Sequence, residues 1–106
     1  MPSSGGSSTR TTVLKGSVNG DPVCSFSTRL GYITMFPIIV EGTEPPEEVL
    51  VVFDKSSTLV YVRKGDRVEV EGGFKKTTPS ISTFRLRGRY FHAERVRNLT
   101  LGVEFW

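Results

Sequence analysis

The chain has 106 residues, a formal net charge of +3, 37% apolar residues, seven Phe and three Tyr. That is one domain with enough apolar material for a single core, and it excludes a disordered chain. A lone Cys24 excludes an intrachain disulfide or cysteine zinc site, and a lone His92 excludes most histidine metal or triad chemistry.

Residues 1–10, rich in Ser and Gly, read as a flexible tail. Thr11–Val18 alternates as a first strand, with Gly16 letting it bend. Asn19-Gly20-Asp21-Pro22 is a turn cluster. Val23–Thr28 is the end of a loop or a short strand that packs Phe26. Arg29–Val40 is a long apolar and aromatic stretch, and Pro37 inside it implies an edge position or a bulge. Gly42–Pro46 with Glu47 and Glu48 is a solvated loop; its carboxylates suggest a metal site less than they suggest solvent, because Pro45 and Pro46 break regular ligand geometry. Val49–Phe53 is a buried strand by its β-branched run.

Ser56–Lys64 has two readings. Ser56 or Ser57 can cap a short helix with Leu59 and Val62 on one face, whereas the β-branched Val60 and Val62 favour an extended form. Gly65-Asp66 then turns the chain into a hairpin of two long strands, Arg67–Gly73 and Thr83–Val96, joined around Thr77-Thr78-Pro79-Ser80. In the return strand the apolar phase shifts between Leu86 and Phe91, so a bulge is expected at Gly88.

Charge is unevenly spread. Residues 41–54 hold Glu41, Glu44, Glu47, Glu48 and Asp54 with no base, whereas residues 72–106 hold seven bases against Glu94 and Glu104. Arg85, Arg87 and Arg89 recur at every second position, which puts them on one face of a strand. A cationic strand face near aromatic rings is the composition that single-stranded nucleic acid binds.

Strand, long strand, strand, a helix-sized gap, strand, strand is the layout of a five-stranded Greek-key barrel. Leu59–Gly72, with its Lys64-Gly65-Asp66 turn before alternating valines, and Phe91–Val96, with its apolar-x-Ala-x-x-Val pattern, resemble the fourth and closing strands of OB-fold domains of the single-stranded DNA-binding type. The resemblance implies an all-β, five-stranded OB-fold barrel over residues 11–99, its helix between strands three and four short or absent, followed by an extension at 100–106. It further implies that the strand of nucleic acid lies across the family's second and third strands, between the loops joining strands 1–2 and 4–5. Carried onto this sequence, those elements supply Phe26, Arg29, Tyr32, Thr34, Phe36, Phe53, Phe74, Lys75, Lys76, Arg85, Arg87 and Arg89.

No nucleophile–base pair, phosphate-cradling glycine loop or metal-spaced cluster is visible, so a non-catalytic protein without cofactor is expected. The expected partner is single-stranded DNA or RNA, with DNA favoured, in replication or repair. The alternative is a protein-interaction subunit of a replication, repair or telomere-type complex, or a homo-oligomer, using the C-terminal aromatics. Trp106 is expected to dock on the barrel, Cys24 to be a small packed residue and His92 to lie at the surface. No apolar run reaches the ~18 residues of a membrane helix. No signal-peptide core precedes the domain either, and an intracellular location (cytoplasm, nucleoid or nucleus) is expected.

Overall fold

The computed structural model describes residues 11–27, 31–54, 60–76 and 89–106. Among them are seven strands and no helix: β1 (Thr12–Val18), β2 (Val23–Ser27), β3 (Gly31–Val40), β4 (Glu47–Phe53), β5 (Arg67–Lys76), β6 (Arg89–Asn98) and β7 (Val103–Phe105). The expectations for the tail, for Ser56, Ser57 and Leu59, and for the Thr77–Gly88 connection lie outside the described residues.

The sheet closes on itself. β1 pairs antiparallel with β5 over Thr12–Ser17 and with β3 over Gly16–Val18. β3 pairs antiparallel with β4, and β4 runs parallel to β6 through Val51↔Phe91 and Val52↔His92. β6 and β5 form the antiparallel hairpin that completes the circuit. β1 can serve two neighbours because of Gly16, where a Cβ would stand 2.2 Å from the Ile39 carbonyl oxygen. The expected bend therefore arises from contact between backbones. β2 extends the sheet from β3, and β7 pairs with the last residues of β6.

Inward residues alternate along β1, β3, β4, β5 and β6. Val18, Phe36, Ile38, Val49, Val51, Phe53, Val68, Val70, Phe91, Ala93 and Val96 are buried together in one core. A second apolar cluster lies on the opposite face of β3, β4 and β6: Met35, Leu50, Val52 and Tyr90, with Val23 and Ile33 packed against them. β4 thus buries both faces, which is why its sequence runs unbroken through Val49–Phe53. Pro37 sits opposite Leu50 in the β3–β4 ladder. Its carbonyl accepts from Asn19 on the other side, so its missing N–H falls in the gap between the β2 and β1 pairings and costs no ladder bond.

One end of the barrel is plugged by the extended chain before β5, since Val60 and Val62 belong to the main core. No helix is formed over residues 60–66. The Arg63–Asp66 turn closes with an Asp66 N–H donated to the Arg63 carbonyl, and Gly65 takes φ +98, which a Cβ disfavours. The turn then bonds to the end of β1: Val18 N donates to the Asp66 carbonyl, and Gly65 N to that of Val18.

The β5–β6 pair carries a bulge, while the one expected at Gly88 lies outside the described residues. The register shifts between Glu71 and Gly72, which pair with Arg95 and Ala93, so the extra residue is Glu94. The inward phase accordingly changes from Phe91 and Ala93 to Val96 and Asn98. Gly72 is required opposite, because a Cβ there would lie 2.0 Å from the His92 carbonyl oxygen.

Candidate nucleic-acid interface

Register assigns each candidate side chain to an end of the barrel. β3 begins beside the end of β4 (Thr34↔Phe53), so Tyr32 stands past the C-terminal end of β4, at the plugged end. There Tyr32 pairs with Phe26 across the β2–β3 hairpin. Their ring centroids are 5.0 Å apart with planes tilted by 58°. Phe26 is 63% and Tyr32 39% exposed, so two neighbouring rings keep apolar faces in solvent.

Three carried-over residues are corrected. Thr34, Phe36 and Phe53 have no solvent exposure. Their parity on β3 and β4 points them into the barrel, and a ring without a free face cannot stack on a base. The outward residues of the same strands are Met35, Leu50 and Val52, which are also buried. Among the described residues, then, the outer face of β3 and β4 carries neither an exposed cation nor an available ring.

Phe74 lies at the other end, half-buried and edge-on to Phe91 at 5.2 Å. The Arg89 guanidinium covers the Phe74 ring at 3.8 Å and reaches Glu47 at 3.5 Å. Lys75 and Lys76 are exposed beside it and form no ion pair with the described residues. Arg29, Arg85 and Arg87 lie outside the described residues.

The remaining arginines of the closing hairpin are matched by carboxylates. Arg97 bonds Glu104 at 3.0 Å and Glu69 at 3.2 Å, Arg95 lies 3.8 Å from Glu71, and Arg67 donates to Glu41 at 2.8 Å. These pairs run across strands, and the outer face formed by Glu69, Glu71, Arg95, Arg97 and Glu104 is a charge-paired ladder.

Three smaller expectations change. His92 is held between carboxylates, Nε2 at 2.9 Å from Asp54 and Nδ1 at 3.4 Å from Glu94, with its side chain only 15% exposed. Cys24 is exposed, 3.8 Å from the Thr34 hydroxyl. Trp106 is 65% exposed, with the Arg95 guanidinium 5.2 Å from its ring centroid. No group of three or more potential metal ligands is found among the described residues. No helix among them is long and apolar enough to cross a membrane.

Sequence reading passed over Tyr61, Arg63 and Lys64 as site residues. All three are exposed on the plug, Tyr61 by 60%, because Val60 and Val62 alternate inward. That alternation, followed by Gly65-Asp66, is the signal in the sequence that would have found them. No protein-family model matches this chain, and no curated protein is significantly similar to it.

Proposed function

We propose that this chain is an OB-type barrel that binds single-stranded nucleic acid, DNA in preference to RNA, by base stacking and phosphate contacts, without catalysis. The circuit β1–β3–β4–β6–β5, with its parallel β4–β6 junction, supports the OB assignment because a five-stranded Greek-key barrel needs one such return. The observation that carries the function is the Phe26–Tyr32 pair, two exposed rings 5.0 Å apart on a hairpin where neither is needed for the core. Rings so placed offer stacking surfaces to successive bases, each contributing about 1–3 kcal/mol without sequence preference. Lys75 and Lys76, which form no ion pair with the described residues, and Arg89 held over Phe74 supply cations elsewhere on the barrel.

The test is titration of oligo-dT followed by fluorescence anisotropy at several salt concentrations. Affinity is expected to fall steeply with salt, and a duplex competitor to displace the oligonucleotide poorly. Binding indifferent to salt, or absent at low salt, overturns the reading.

A protein-interaction role is favoured by one different observation: Trp106, Leu101 and Val103 are all exposed around β7. Deleting Val103–Trp106 would strip β7 from β6, so Trp106→Ala is the informative variant. Loss of a co-purifying partner or of self-association in sedimentation, with the fold intact, would support that role.

A further inference from the structure

Resting on the reading above, we infer that the bound strand runs end-on, from the Phe26–Tyr32 pair across the plugged end of the barrel to a second contact formed by Tyr61, Arg63 and Lys64. The outer side of β3 and β4, where a strand would otherwise lie, has little to offer it. Its central residues Met35, Leu50 and Val52 are 5%, 8% and 3% exposed, and neither strand contains a cation. Stacking needs a free ring and phosphate needs a free cation.

Both occur together on the plug. Tyr61 is exposed, and Arg63 and Lys64, two residues along, are exposed and form no ion pair with the described residues. Arg63 differs in this from Arg67, Arg89 and Arg97, each of which has a carboxylate within 3.5 Å.

The plug is also held in place before any ligand arrives. Asn98 Nδ2 donates to the Tyr61 carbonyl at 3.1 Å and to the Asp66 carboxylate at 3.0 Å. The same carboxylate accepts the Arg63 N–H at 3.0 Å. A backbone fixed on both sides of Arg63 leaves only side-chain freedom to be lost on binding, which lowers the cost of association. β6 runs parallel to β4, so its C-terminal Asn98 points the same way as Phe53, which lies opposite Thr34 near the start of β3, the end that also carries Tyr32.

Two oligo-dT lengths separate the possibilities, about 4 and about 16 nucleotides, the limits of an OB-fold site. For the long oligomer, Arg63→Ala with Lys64→Ala should reduce the slope of log affinity against log salt by about 1.4, two phosphates at ~0.7 each. Tyr61→Ala should weaken it by about 5- to 150-fold. The short oligomer should respond to Phe26→Ala and be unaffected by changes on the plug. All of these positions are exposed, and unchanged thermal unfolding of each variant verifies the fold.

If the long-oligomer slope is unchanged in the double variant while Phe26→Ala still weakens binding, the end-on path is wrong and the functional reading stands. The end-on path is equally wrong if Lys75→Ala with Lys76→Ala, at the opposite end, takes the slope away instead. If the wild-type protein binds neither oligomer at low salt, the functional reading itself falls.

Discussion

The Asp66 carboxylate accepts a hydrogen bond from the Asn98 side chain at 3.0 Å, and both residues are buried. This contact joins the turn that plugs the barrel to the strand that closes it. Asn98 uses its whole amide there: its nitrogen serves Tyr61 and Asp66, and its oxygen accepts from Leu101 N, which starts the turn into β7. One buried amide thus fixes the plug, the closing strand and the C-terminal hairpin.

Asn98→Leu should therefore be among the most damaging single changes. It keeps the branched shape but leaves the buried Asp66 carboxylate short of a partner, which costs about 1–3 kcal/mol. A loss of about 4–8 °C in Tm for every kcal/mol is expected by calorimetry. A variant melting with the wild type would show that this contact does not hold the barrel.

Gly16→Ala and Gly72→Ala should each prevent normal closure, because the new methyl group would meet a carbonyl oxygen at 2.2 and 2.0 Å. The neighbouring Gly73 has nothing within 4 Å of where a Cβ would stand, so Gly73→Ala is the control. Overpacking costs about 1–3 kcal/mol or more. Equal chemical-denaturation midpoints for Gly72→Ala and Gly73→Ala would contradict the register of the bulge.

Aromatic truncations should divide into two groups. Phe36→Ala and Phe53→Ala empty fully buried sites and should cost about 3–5 kcal/mol. Phe26→Ala and Tyr32→Ala remove exposed rings and should leave stability nearly unchanged while lowering oligo-dT affinity. Unfolding curves and binding isotherms on the same four variants test this; a stability loss at Phe26 as large as at Phe36 would remove it from any binding role.

Tyr90 should make stability fall in alkali. Burial, and then the Asp54 charge, raise its phenol above the ordinary value of 10.0. The folded state therefore keeps this proton more tightly than the unfolded chain. The stabilisation is complete below about pH 10 and is lost as pH climbs through the folded value. Tyr90→Phe has no phenol to ionise, so its Tm should decline less between neutral and strongly alkaline pH. Parallel declines in the two proteins would exclude the effect.

Much of the fold can be read from local pattern. Alternation in Val68-Glu69-Val70-Glu71, the β-branched run of β4 and the Gly65-Asp66 turn are each determined by neighbours in sequence. Pro37 implied an edge position or a bulge, but its strand has neighbours on both sides and pairs with β4 in unbroken register through Pro37↔Leu50. The site is less legible. Tyr32 and Phe36 share one parity, yet Phe36 lies in the core and Tyr32 past the end of β4; what separates them is how far the barrel extends.

From the sequence alone came the strands of the barrel circuit, the Gly65-Asp66 turn and an excess of cations toward the C-terminus, because backbone preference and side-chain alternation act over a few residues. Only the closed sheet decided which cations remain available. Arg67, Arg89 and Arg97 meet Glu41, Glu47 and Glu69 through pairings between distant segments, and no reading of local charge contains those distances. The same closure placed Glu94 in the bulge and turned Tyr61, Arg63 and Lys64 outward, since a barrel must accommodate a fixed stagger of its strands wherever a glycine lets two backbones approach.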